Sequence, residues 1–141
     1  MTETQERRAA VVTGSTRGIG REIARELAAA GMNVVVNSSS EKSLPAAEAL
    51  AAEIAGQFGV EAVAVAANVA DEAEANALIA AATDAFGRVD VLVNNAGITR
   101  DGLAARMSDE DFDAVIDINL KGSFHCCRAA AKVMMKQRWG R

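Results

Sequence analysis

Thr13-Gly14-Ser15-Thr16-Arg17-Gly18-Ile19-Gly20 decides the reading of this chain. The apolar run Ala9-Ala10-Val11-Val12 leads into it, and a helical pattern, Ile19, Ile23, Ala24, Leu27, leads out. A strand enters, glycines turn the backbone and a helix starts at once, the context in which a glycine-rich loop binds phosphate. Gly14 permits a sharp turn off the strand. Gly18 removes the Cβ that would stand between a phosphate and the backbone, and Gly20 lets the helix lie close to the strand. The first N–H groups of the helix have no partner within it, and with the helix dipole they favour an anion. The spacing is G-x-x-x-G-x-G rather than G-x-G-x-x-G, and no Gly-Lys-Ser/Thr follows, so the loop is not a P-loop.

A length of 141 residues makes one domain the default. Half the residues are hydrophobic, yet only four are Phe and one is Trp, so the core must rest on small side chains packed closely. A net charge of −4 argues against a nucleic-acid surface. Met1 to Arg8 is polar and holds no signal-peptide core, and no apolar run approaches membrane-spanning length. Cys126 and Cys127 are adjacent, which is neither a disulfide framework nor a metal spacing, and they read as packed thiols in a reducing compartment. The expectation is a soluble, cytoplasmic protein with no metal, nucleic-acid or membrane partner. The chain contains no tyrosine.

Residues 1–8 read as a flexible N-terminus and residues 9–141 as one dinucleotide-binding domain. The first strand is expected at about 9–13 and the first helix at about 18–30, closed by Gly31. Met32 to Asn37 holds the β-branched run of a buried parallel strand, and Asn37-Ser38-Ser39-Ser40 reads as a polar loop. Ser43 is a candidate cap for a helix with Pro45 in its first turn and Leu50, Ile54 and Phe58 on its apolar stripe. Glu61 to Ala67 is a third strand. Asp71 with Glu74 forms a capping-box start for a third helix, with Leu78, Ile79, Ala82 and Phe86 facing inward. Val89 to Asn94 is a fourth strand. Ser108 and Asp111 repeat the cap for a last helix at about 109–137, whose apolar face is Phe112, Val115, Ile116, Leu120, Phe124 and Cys127. Strands and helices alternate, so the fold class is α/β: a Rossmann-type doubly wound parallel sheet of order 3-2-1-4, incomplete on its C-terminal side. The order reverses between strands 1 and 4, and a ligand belongs at their carboxyl ends.

Asn94-Asn95-Ala96-Gly97 ends the fourth strand about eighty residues after the glycine loop. The pair of motifs resembles the classical short-chain dehydrogenase/reductase family. Asn94 to Asp101 and the ending Met134 to Arg141 are similar, more specifically, to its 3-oxoacyl-acyl-carrier-protein reductases. The similarity runs from about residue 9 to the last residue. It implies a cofactor site made of Gly14, Ser15, Thr16, Arg17, Gly18, Ile19, Gly20, Asn37, Ser38, Ser39, Asn68, Val69, Asn95, Ala96, Gly97 and Ile98. Within that site Asn68-Val69 matches the adenine position, and Asn119, in Ile118-Asn119-Leu120, matches the family's catalytic asparagine. The implied activity is NADPH-dependent reduction of a 3-oxoacyl group carried by acyl-carrier protein or CoA, in fatty acid synthesis, by a homo-oligomer, a tetramer. Reduction of acetoacetyl-CoA, a sugar or a steroid, and a non-catalytic dinucleotide-binding module, are the alternatives. The family's catalytic Ser and Tyr-x-x-x-Lys lie beyond the stretch that matches here, so the 141-residue chain is expected to be inactive alone.

An NAD site in this fold places a carboxylate at the end of strand 2. This chain has Asn37-Ser38-Ser39-Ser40 there, and Arg17 stands in the loop where a guanidinium pairs with a 2′-phosphate. NADP(H) is therefore the expected cofactor. His125, the single histidine, has no visible partner set and reads as structural. Arg128, Lys132, Lys136, Arg138 and Arg141 make the end of the last helix basic, which either answers the helix dipole or docks an acidic carrier protein.

Overall fold

Small and β-branched residues build the centre of the molecule, for which the computed structural model describes residues 6–141. The first five residues of the expected flexible N-terminus lie outside the described residues. Strands β1 (Ala9–Val12), β2 (Asn33–Ser38), β3 (Ala62–Ala66) and β4 (Val91–Val93) form one parallel sheet of order β3-β2-β1-β4, as the alternation required. The crossovers are α1 (Gly18–Ala29), α2 (Leu44–Phe58) and α3 (Glu72–Phe86). After β4 the chain runs through α4 (Asp109–Val115), a π-helical segment (Ile116–Lys121) and α5 (Gly122–Gln137).

Side-chain alternation along the strands feeds two cores. Val12, Val34 and Val36 pack on Ala24 and Ala28 of α1 and on Ala47, Leu50 and Ile54 of α2. Val11 and Val35 point the other way, onto Leu78, Ile79 and Ala82 of α3 and Cys126 and Ala130 of α5. Helices thus cover both faces, and fully buried Ile54 and Leu78 each contribute ~1.5–3 kcal/mol by leaving water.

Three local expectations change in the structure. Asn37 and Ser38 are not loop but the buried end of β2, because Asn37 finds partners for its whole amide there. Ser43 stands at the start of α2, yet its hydroxyl donates to Ser40 O (3.2 Å) and caps nothing, since the 3₁₀ turn Glu41–Ser43 leads directly into the helix. The face of the last helix expected to turn inward is largely exposed: Phe112, Leu120 and Phe124 are more than half accessible and Cys127 is on the surface. The buried face is instead Gly122, Cys126 and Ala130, whose small side chains let α5 lie close to α3. The π-helical segment, with its wider turn, offsets the register between α4 and α5. Burial pushes the Cys126 thiol up to about 11, with the neighbouring Cys127 adding to the shift.

The predicted caps of the remaining helices form. Asp71 Oδ1 accepts the Glu74 N–H (2.9 Å) and Ser108 Oγ accepts the Asp111 N–H (3.1 Å). Only half of the capping box closes: Glu74 Oε1 accepts from Asn68 N (3.4 Å), while Asp71 N donates to Asn68 O. At the amino end of the sheet, buried Asp90 accepts the Ala9 N–H (2.8 Å) and a forked pair of bonds from Arg88 Nε (2.6 Å) and Nη2 (2.8 Å). Gln137 pairs through its amide with both the N–H (3.0 Å) and the carbonyl (2.7 Å) of Val89. Arg141 bonds Asp90 O and the Leu92 N–H through its backbone, so the last residue lies alongside β4.

Candidate functional site

At the carboxyl ends of the strands β1 and β4 part company, since the chain leaves β1 toward α1 on one face and β4 toward the other. A cleft of about 560 Å³ opens there. Gly14 turns the chain off β1 with φ +60°, and a Cβ on it would lie 2.9 Å from Ala96 Cα, so the two motifs approach backbone to backbone. Thr13 Oγ1 accepts the N–H groups of Asn95 (3.0 Å) and Ala96 (2.9 Å). Asn95 Nδ2 answers by donating to Thr13 O (3.1 Å) and Gly14 O (3.0 Å). A Cβ on Gly20 would collide with that same amide nitrogen and with Gly14 O. The stretches around residues 14 and 95 are thereby locked into one wall.

Behind this wall the polar groups satisfy one another. Ser15 is fully buried; its hydroxyl donates to Val12 O (2.8 Å) and accepts the Asn37 N–H (2.9 Å). Asn37 Oδ1 accepts the Gly14 N–H (2.9 Å), and Asn37 Nδ2 is shared among the carbonyls of Ser38, Val65 and Ala67. Ser38 is buried with its hydroxyl on Ser40 O (3.1 Å). Ser15, Gly20 and Ser38 therefore hold the loop from behind, while Gly14, Thr16, Arg17, Gly18, Ile19, Asn37, Ser39, Asn68, Val69, Asn95, Ala96, Gly97 and Ile98 line the cleft.

The start of α1 faces this space uncapped. Arg17 holds the N-cap position with no side-chain cap bond, and no acidic residue stands in the first turn. Gly18, at φ +59°, would meet no atom within 4 Å if it carried a Cβ. Free N–H groups, a positive dipole end and open space beside a glycine are features that suit an anion such as phosphate. The Arg17 side chain is exposed and makes no ion pair or hydrogen bond among the described residues, and exposed Ser39 lines the same cleft. Beside the cleft Asn119, on the π-helical segment, accepts the Ile98 N–H on Oδ1 (2.8 Å) and donates from Nδ2 to Ile98 O (3.0 Å). Both ends of its amide tie down Ile98, and Gly97 leaves room for it: a Cβ there would lie 3.3 Å from Asn119 Oδ1.

Residues outside the expected set also take part. Thr13 carries the junction between the motifs, and its place as the polar residue ending an apolar strand was a usable signal. Ala67 and Ile118 line the cleft and carry no signal in the sequence. Arg17 is the single titratable side chain on the cleft wall among the described residues. The wall can hold an elongated anionic ligand but offers no group that releases a proton at neutral pH.

The family model described as short chain dehydrogenase matches residues 8–141. The chain is 55% identical over 132 residues to a 3-oxoacyl-[acyl-carrier-protein] reductase of Synechocystis sp., covering 94% of this chain and 52% of that protein. It is 50% identical over 133 residues to a protein of the same description from Staphylococcus aureus, covering 94% and 53%. Among solved structures, a putative short-chain alcohol dehydrogenase from Sinorhizobium meliloti superposes with a TM-score of 0.85 at 37% identity, over 94% of this chain and 51% of that one. A short chain dehydrogenase from Mycobacterium avium gives a TM-score of 0.85 at 44% identity, over 94% and 48%. The chain spans about half the length of the curated relatives it matches.

Proposed function

From the premise that the chain belongs to the short chain dehydrogenase family, we propose that residues 9–141 form the dinucleotide-binding unit of a cytoplasmic, NADPH-dependent 3-oxoacyl-acyl-carrier-protein reductase. The observation that carries the binding part is the wall that joins Thr13-Gly14 to Asn95-Ala96 beside the uncapped start of α1. The substrate class rests on identity of 50–55% to reductases of that description. No helix among the described residues is long and apolar enough to cross a membrane.

The residues fit a dinucleotide. The N–H groups opening α1 and the space beside Gly18 would take the pyrophosphate, Asn68 and Val69 the adenine, and Arg17 with Ser39 the 2′-phosphate. Bound NADPH supplies the hydride. Ile98, held in place by Asn119, would back the nicotinamide end, so Asn119 acts as a positioning residue through its amide. The proton that completes a carbonyl reduction must come from outside the cleft wall, because the wall holds no acid. Of the basic side chains on α5 and after it, Arg128 pairs with Glu72 (2.8 Å) and Arg141 lies over Trp139. Lys132, Lys136 and Arg138 remain to receive an acidic carrier, and the complete enzyme is read as a homo-oligomer, a tetramer.

Fluorescence titration of the 141-residue chain with NADPH tests the binding part. Saturable binding is expected, and Gly18→Val should abolish it, since a β-branched side chain fills the phosphate's place and resists a positive φ. Undiminished binding by Gly18→Val would place the site elsewhere.

A further inference from the structure

His125 does not line the cleft, yet it touches the residue that does. Its Nδ1 lies 2.8 Å from the carbonyl oxygen of Val69, across 56 residues of sequence. A carbonyl only accepts, so Nδ1 carries the proton and donates. Val69 is buried at the β3–α3 turn and forms part of the cleft wall. Its side chain rests on α5 as well: a Cβ on Gly122 would come within 2.6 Å of Val69 Cγ2. Gly122 and His125 lie three residues apart and so share one face of the helix. Together they grip the turn, one by removing a side chain and the other by a hydrogen bond.

The neighbouring groups of the turn leave this bond a distinct task. Asn68 Oδ1 accepts the Ala70 N–H (3.1 Å), Asn68 O accepts the Asp71 N–H (3.0 Å), and Asn68 N donates to Glu74. These contacts are all internal to the turn and the start of α3. Among the described residues, the His125 bond is the one that ties a polar backbone atom of the turn to a helix other than α3. α5 continues directly from the segment that carries Asn119, which fixes Ile98, another residue of the cleft wall. One helical run therefore holds two stretches of the same wall.

We propose that His125 is a positioning residue for the adenine end of the cleft: it fixes the Val69 wall through the Val69 carbonyl and sets the affinity for the adenosine part of the cofactor. The inference rests on the reading of Asn68 and Val69 as the adenine wall. Replacing the imidazole by an apolar ring leaves that carbonyl unpaired and frees the turn, which weakens adenosine binding and spares the other end of the groove.

The test measures affinities of the 141-residue chain for ADP and, separately, for reduced nicotinamide mononucleotide. His125→Phe is expected to weaken ADP about fivefold and to leave the mononucleotide within twofold. His125→Asn, whose Nδ2 sits where Nδ1 does, is expected to restore ADP affinity to within twofold of the parent chain. If His125→Phe does not fold, His125→Gln, whose amide lies beyond the Nδ1 position, takes its place with the same expectation. Unchanged ADP affinity in the Phe or Gln variant overturns the proposal. So does equal weakening of both probes, which marks a general loss of packing, and so does failure of His125→Asn to rescue. A parent chain that binds no ADP at all would instead overturn the adenine-wall reading beneath it.

Discussion

The two ends of the β-sheet are built on opposite terms. At the amino end the polar groups close on one another: Asp90 binds Ala9 N and Arg88, Gln137 copies a strand partner for Val89, and the Arg8 guanidinium lies 4.0 Å from the Trp139 ring centroid. At the carboxyl end the wall behind the cleft is equally satisfied, but its front is left open, with an uncapped α1 and an arginine that has no partner among the described residues. The same chain caps α3 with Asp71 and α4 with Ser108, each with acidic residues in the first turn. α2 also begins without a side-chain cap, so what sets α1 apart is its place: its open start falls where the strand order reverses. Polar groups close on one another at one end and face open space at the other.

The sharpest way to break that division is to ask the open end for chemistry it is not built to perform. A carbonyl reduction needs an acid placed at the developing oxyanion, typically supplying ~10²–10⁴-fold. It also needs donors that hold the charge, supplying a further ~10²–10³-fold. The cleft wall has no such acid, and the 141 residues include no tyrosine. Turnover of acetoacetyl-CoA by the purified chain, followed as NADPH consumption, is expected at background. Robust turnover that survives removal of host reductases would place an unrecognised acid in this cleft.

At the closed end the largest effect falls on stability. Burial pushes the Asp90 carboxyl up, but the hydrogen bonds from Arg88 and the Ala9 N–H, with the Arg88 charge, outweigh it and hold the group below its ordinary value. A carboxyl depressed in the folded state stabilises fully above its unfolded pKa of about 4 and loses that contribution as pH falls through the lower folded value. Asp90→Ala leaves a buried N–H unpaired and leaves Arg88 only its longer contact with exposed Glu6 (3.5 Å), at a cost of about 3 kcal/mol. Urea unfolding at pH 7 should show this loss, and it should shrink below pH 4, where the parent chain gives up the same contribution. NADPH affinity of the folded variant should stay within twofold. A large change in affinity would show that the two ends are coupled.

What could be read from the sequence follows the same division. The sheet order and the meeting of the two motifs follow from β-branched runs and from glycines with a single physical purpose, and those signals are local. The inner face of the run from α4 to α5 differs from the expectation because apolar character alone picks Phe112, Leu120 and Phe124, whereas close approach of α5 to α3 selects small residues. A π-helical turn leaves no periodic trace to correct that choice. Asn37 looked like loop because it is polar, yet its amide and backbone find partners in the glycine loop and in β3 only once strands 1, 2 and 3 stand side by side. His125 had no visible partner because its partner is a backbone carbonyl 56 residues away.

Two arginines carry the smallest and most selective of these tests. Arg88 is forked onto Asp90 and mostly buried, while Arg17 stands exposed at the mouth of the cleft. If Arg17 recognises a 2′-phosphate, Arg17→Ala should reduce the preference for NADPH over NADH by about 1–2 kcal/mol, the scale of a charge-assisted hydrogen bond. Because the guanidinium is exposed, the effect should fall as salt is raised from low ionic strength toward ~0.5 M. The urea midpoint should not move, since the side chain makes no contact that folding depends on. Arg88→Ala should show the reverse: a lower midpoint, an unchanged preference between the two nucleotides and little dependence of that preference on salt. Equal affinity of the parent chain for NADPH and NADH would remove Arg17 from cofactor choice altogether. Ser39 would then be a remaining polar side chain of the cleft wall, and a neutral hydroxyl there suits a ribose 2′-hydroxyl better than a phosphate.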